Sequence, residues 1–216
     1  QAPMDPTTMT IPLLLKKGGY VSGMFGKWGL GGPVSKSDPM VFFDEFYGYN
    51  CQRHGHNYYP YYLWQNQTKV FLEGNAEAST QTYAPILIHK KALEFIEANR
   101  DTTFFMYYPT IIPHAELLAP EVYMEKYRGK LEPEKSYKGV EYGDPGYKAG
   151  KYSSQPETHA AYAAMITLLD DQVGEILDKH HEISQWYEPY FVWDRFFRET
   201  PHDERTAADA TSKVKE

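Results

Sequence analysis

The chain has one cysteine, Cys51, among 216 residues. A single thiol excludes an internal disulfide framework and leaves the redox compartment open. Positive charge is also scarce: 22 Lys and Arg stand against 29 Asp and Glu, a formal net charge of −7. No basic stretch is present to track a phosphate backbone, which argues against a nucleic-acid binder. No apolar run approaches the roughly 20 residues of a membrane-spanning helix. No signal-peptide pattern stands at Gln1.

The composition that remains is globular, at 42% hydrophobic residues. The length suits one sizeable core and falls short of two comfortable domains. Tyrosine is abundant, with 19 copies. Its apolar body and polar tip suit half-buried loops and carbohydrate-facing clefts.

Helix and strand signals alternate along the chain. Thr10 can cap a helix that has Pro12 in its first turn, Leu13, Leu14 and Leu15 inside it, and Lys16 and Lys17 in its last turn. Gly18 and Gly19 end it. Tyr20, Val21, Met24 and Phe25 then supply a short buried strand. It runs into a glycine-rich loop that carries Lys27. Residues 83–99 recur at helical spacing, and residues 102–108 read as a buried strand. Helices followed by buried strands predict an α/β fold with a mainly parallel sheet. A hairpin is expected over 64–75, a long surface insertion over 128–156 and an amphipathic helix over 158–179. The first helix lacks a preceding strand, so the chain reads as a fragment.

Several side chains could carry chemistry. Lys27 would hold a point charge where glycines let the backbone approach a ligand, which suits an anionic oxygen group. His114 follows a predicted strand end, where α/β enzymes place ligands. His54 and His56 would share a face if they lay on a strand. Zinc needs three or four ligands, and no further Cys or His stands at useful spacing, so no metal site is assigned. Cys51 reads as a small buried thiol. Asp170 and Asp171 point about 100° apart on a helix and read as surface carboxylates. Asn66-Gln67-Thr68 is a glycosylation sequon, relevant only to a secreted eukaryotic protein.

Four strings carry a family resemblance: G-K-W-G-L-G at 26–31, F-D-E-F-Y-G-Y at 43–49, P-H-A-E at 113–116 and L-D-D-Q-V-G-E-I-L at 169–177. In this order they resemble the sulfatase family of the alkaline phosphatase superfamily. C-Q-R-H-G-H-N-Y-Y-P at 51–60 is similar to a segment of a bacterial-type subset. The resemblance covers residues 10–179 and implies part of a sulfatase α/β sandwich. It implies sulfate-ester hydrolysis, with Lys27 and His114 as catalytic contacts to the sulfate and Arg53, His54 and His56 in the substrate-pocket wall. It also implies calcium, a formylglycine nucleophile, a sulfated small molecule or carbohydrate as partner, and a secreted, periplasmic or lysosomal-type location.

Departures from the family pattern are specific. Gly29 stands where the family often has histidine, and Phe42 where it usually has glycine. The C-x-P-S-R nucleophile string and the T-S-D-N-G calcium turn are absent; Cys51 is followed by Gln-Arg-His-Gly. The chain as given is therefore expected not to turn over substrate. Residues 180–216 read as a non-family segment, rich in aromatics at first and disordered beyond about 197. Two other readings stay open: a non-catalytic binder of sulfated glycans, and a hydrolase of phosphate or phosphonate esters in the same superfamily.

Overall fold

The computed structural model describes residues 4, 5, 7–148 and 151–184. The chain divides into two units, Gln1–His180 and His181–Glu216. The first unit holds the whole sheet. The expected non-family segment lies, from residue 185 on, outside the described residues.

Five strands form one sheet: β1 (Val21–Lys27), β2 (Glu45–Tyr49), β3 (Tyr62–Gln65), β4 (Thr68–Phe71) and β5 (Phe104–Tyr107), in the order β4-β3-β2-β1-β5. β1 runs parallel to both β2 and β5, which gives the expected parallel centre. The β3–β4 hairpin adds two antiparallel pairs at one edge, so the sheet is mixed. The hairpin starts two residues earlier than the sequence suggests, because Asn66 and Gln67 make the turn. Asn66 adopts φ +55° there, and its side-chain oxygen accepts the Phe46 N–H at 2.9 Å.

Among the described residues, five α-helices accompany the sheet: α1 (Ile11–Lys17), α2 (Pro39–Phe42), α3 (Ala84–Ala98), α4 (Glu121–Met124) and α5 (Thr158–Ser184). α1 starts after Thr10 as expected, although the Thr10 hydroxyl makes no capping hydrogen bond. Strand alternation sends Phe25 and Tyr47 to one face, against Ile88, Ala92 and Phe95 of α3 and Met165 and Leu168 of α5. Met24 and Phe46 face the other way, against Phe42, Phe43, Leu13 and Trp28. Phe42 therefore serves as core packing, its ring centroid 5.5 Å from that of Trp28.

At the carboxyl end of the parallel strands, Gly26 of β1 and Gly48 of β2 are register partners. They adopt φ of +141° and +151°, a region open to glycine. A Cβ on Gly48 would stand 1.9 Å from the Gly26 carbonyl oxygen, and one on Gly26 would stand 2.1 Å from the Pro109 carbonyl oxygen. Three adjacent backbones meet here with no room for a methyl group. Lys27, the next residue, is the last of β1 rather than part of the loop.

Two corrections concern the polar segment after β2. Residues His54–His56 form a 3-10 turn, not a strand. With about three residues per turn, side chains two apart point roughly 120° away from each other. Cys51 is exposed rather than buried.

The glycine contact sets an expectation for stability. Gly48→Ala should lose at least about 2 kcal/mol in urea unfolding, through strain and backbone overlap. Gly174→Ala, in α5 with open space at its Cβ position, should gain up to about 1 kcal/mol. Equal effects at both positions would remove the special status of Gly48.

Candidate functional site

The sheet delivers Lys27 and His114 to one end. The Lys27 N–H donates to the Pro109 carbonyl at 3.0 Å, which fastens the end of β1 to the segment leaving β5. Trp28 N–H donates to the Tyr49 carbonyl at 2.9 Å. The turn at 54–56 lies over the Lys27 side chain: a Cβ on Gly55 would stand 2.4 Å from Lys27 Cδ. Gly55 thus leaves the space through which the lysine stem passes.

Two buried tyrosines fix the loops that bear histidine. Tyr49 Oη donates to the Asn57 carbonyl at 2.7 Å and holds the end of the 54–56 turn. Tyr58 Oη donates to the Ile111 carbonyl at 3.1 Å and accepts the His114 N–H at 2.9 Å. The Tyr58 carbonyl in turn accepts the Ala84 N–H at 2.9 Å, which ties this clamp to the start of α3.

The imidazoles of His56 and His114 stack, with ring centroids 4.3 Å apart and planes inclined by 28°. Burial lowers the proton affinity of Lys27. Burial does the same to His56, with the Lys27 charge adding to it, and to His114, with His56 and Lys27 adding to it. The Nδ1 atoms of both rings are buried without a hydrogen-bond partner. Among the described residues no carboxylate pairs with Lys27, His56 or His114. The cluster is three nitrogen bases, partly removed from water, with no counter-charge.

The other two residues expected in a pocket wall, His54 and Arg53, lie apart from the cluster. His54 packs its ring 4.5 Å from Tyr62 and 5.5 Å from Tyr49, between centroids. Burial first, then the Lys69 charge, lowers its pKa to about 4. Arg53 is exposed, and no hydrogen bond or ion pair of its side chain joins it to the cluster. Gly29, at the position where a histidine is common in the family, has φ +72°, and the space of its absent Cβ is taken by the Gln52 side chain. The second imidazole beside Lys27 and His114 comes from His56 instead.

Sequence reading missed three contributors. Tyr58 sits in a run of aromatics that offers no hint of its partners. Tyr152, in the expected surface insertion, places its ring 5.8 Å from His114 and 6.1 Å from His56. Glu116, two residues after His114, is 1% exposed. Burial raises its pKa, against hydrogen bonds from Ser153 and Tyr142 that lower it. A glutamate two positions past a site histidine is the one available signal.

Calcium takes six to eight oxygen ligands. The cluster offers nitrogen donors; Glu116 Oε1 is engaged by Tyr142 and the Ser153 N–H, and its Oε2, buried without a partner, is one oxygen where calcium needs several. No group of three or more His, Cys, Asp or Glu among the described residues is arranged for a metal ion. These residues do not by themselves fit the calcium that the family resemblance implies.

Two outcomes test this geometry. Tyr58→Phe leaves the Ile111 carbonyl and the His114 N–H unpaired, so stability should fall by about 1–3 kcal/mol with a shifted His114 amide resonance. His54 binds its proton more weakly folded than unfolded, so its contribution is complete above pH 6.5 and is lost as pH falls toward 4. The full loss is about 3 kcal/mol. Urea unfolding of His54→Phe should show a correspondingly flatter decline over that window; an unchanged decline would place the acid sensitivity elsewhere.

The sulfatase family model matches residues 3–193. No curated protein matches this sequence. Among solved structures, Ps i-CgsB aligns with a TM-score of 0.62 at 20% identity, over 85% of this chain and 39% of its own. BT4656, solved with its substrate D-glucosamine-2-N,6-O-disulfate, aligns at 0.58 and 16% identity, over 85% and 48%. The yidJ protein of Bacteroides fragilis aligns at 0.56 and 20% identity, over 84% and 42%. The chain spans less than half the length of each of these structures, and at these identities the likeness is one of fold. With the sulfatase family model matched across most of its residues, the chain belongs to the sulfatase family.

Proposed function

We propose that this chain supplies the cationic face of a sulfate-ester hydrolase site. The observation that carries the reading is the convergence of Lys27, His56 and His114 at the carboxyl edge of the parallel strands. Hydrolysis of a sulfate ester puts growing negative charge on the sulfate oxygens and the leaving oxygen. Lys27 offers a fixed positive charge to the sulfate oxygens. His114, held by Tyr58 through its backbone, is positioned to hydrogen-bond the same group or to give a proton to the ester oxygen. His56 lies against His114 and shares the electrostatic work.

An anion seated here would reverse the present electrostatics. Its negative charge favours the protonated imidazoles, whose pKa values lie below 6.5 in its absence. Affinity for an anion should therefore rise as pH falls through the titration of the two rings. The nucleophile and the calcium that the family resemblance implies are not among the groups these residues provide.

The test is titration of the purified chain with inorganic sulfate, alongside an aryl-sulfate hydrolysis assay. Sulfate should bind more tightly at pH 5.5 than at pH 7.5, with no hydrolysis at either pH. Lys27→Ala should weaken binding about tenfold or more, and His114→Ala should flatten the pH dependence. Binding indifferent to pH and to both substitutions would refute the assignment.

A further inference from the structure

The segment that bears Tyr152 is fastened to the chain just past His114. Glu116 Oε1 accepts the Ser153 N–H at 3.2 Å and the Tyr142 hydroxyl at 3.1 Å. Gln155 Nε2 donates to the Leu117 carbonyl at 2.7 Å. Val140 N–H donates to the Tyr152 carbonyl at 3.0 Å, and Tyr137 and Gln155 exchange two backbone hydrogen bonds. A Cβ on Gly139 would stand 2.1 Å from the Tyr152 carbonyl oxygen, so the two backbones are in direct contact. The backbone of Tyr152 is thus held from both sides.

Its side chain is used differently from those of Tyr49, Tyr58 and Tyr142, whose hydroxyls bond to protein groups. The Tyr152 hydroxyl makes no hydrogen bond among the described residues. The ring is partly exposed and borders the two stacked imidazoles. A fixed backbone, an aromatic ring whose hydroxyl bonds no protein group and an adjacent cluster of three nitrogen bases without a counter-charge make an amphipathic recognition surface. Binding sites commonly join a few convergent polar anchors to an aromatic wall. A sulfated pyranose matches that pairing: the sulfate takes the nitrogen bases, and the apolar C–H face of the ring takes the tyrosine body.

We propose that Tyr152 is the platform for the sugar ring of a sulfated carbohydrate whose sulfate lies at Lys27, His56 and His114. The proposal rests on the sulfate-ester reading above, and the experiment separates the two. The intact chain is titrated with sodium sulfate and with glucose 6-sulfate, following the His114 ring resonances. Glucose 6-sulfate should bind about five- to tenfold more tightly than sulfate, the range of one aromatic contact. Tyr152→Ala and Tyr152→Leu should abolish that advantage and leave sulfate affinity in place, while Tyr152→Phe retains it. A sugar advantage that survives both Ala and Leu, or no advantage in the parent chain, overturns the platform alone. If neither ligand moves the His114 ring, the sulfate-ester reading fails and the platform with it.

Discussion

The site depends on a contact in which no side chain takes part. Gly26, Gly48 and Pro109 bring three neighbouring backbones together at the carboxyl edge of β2, β1 and β5. The residues immediately beyond this contact lead into the site: Lys27 from β1, the turn at 54–56 after β2, and the segment to His114 after β5. Any methyl group at Gly48 would meet a carbonyl and push apart the strand ends that aim these groups. The glycines are therefore a condition of the chemistry as well as of the fold.

What this edge gathers is electrostatically unfavourable in isolation. A lysine and two imidazoles share a partly desolvated space: burial lowers the proton affinity of all three, the Lys27 charge adds to the effect on both rings, and His56 adds to it on His114. Packing and backbone hydrogen bonds hold them there. Tyr49 and Tyr58 anchor the two histidine-bearing loops, and Gly55 makes room for the lysine stem. Such a cluster favours an anion, whose charge would relieve the strain between like groups.

Much of this was legible in the sequence, for identifiable reasons. β1, α3 and β5 are read from apolar runs and helical spacing, because burial imposes those patterns. Lys27 and His114 stand in strings that resemble family signatures, and both reach the same edge. The fate of the two neighbouring histidines was not legible. Whether His54 and His56 share a face turns on strand or 3-10 geometry, which a short polar segment without apolar periodicity does not decide. The partners of Tyr58 lie 53 and 56 positions away in sequence, so no local pattern could reveal its role. Tyr152 was hidden because the segment from 128 to 156 has no periodicity. Its connection to the site runs through a buried carboxylate, the kind of residue that sequence reading assigns to the surface.

The most direct measurement of the central claim is a pH titration of the imidazole rings by nuclear magnetic resonance, in the parent chain and in Lys27→Ala. His56 and His114 should titrate below pH 6.5, His114 responding to His56 as well, and both should shift upward when the Lys27 charge is removed. His54 should remain near 4 in both proteins, since Lys69 rather than Lys27 acts on it. If His56 and His114 titrate independently near 6.5 and ignore Lys27, the three residues do not form one site.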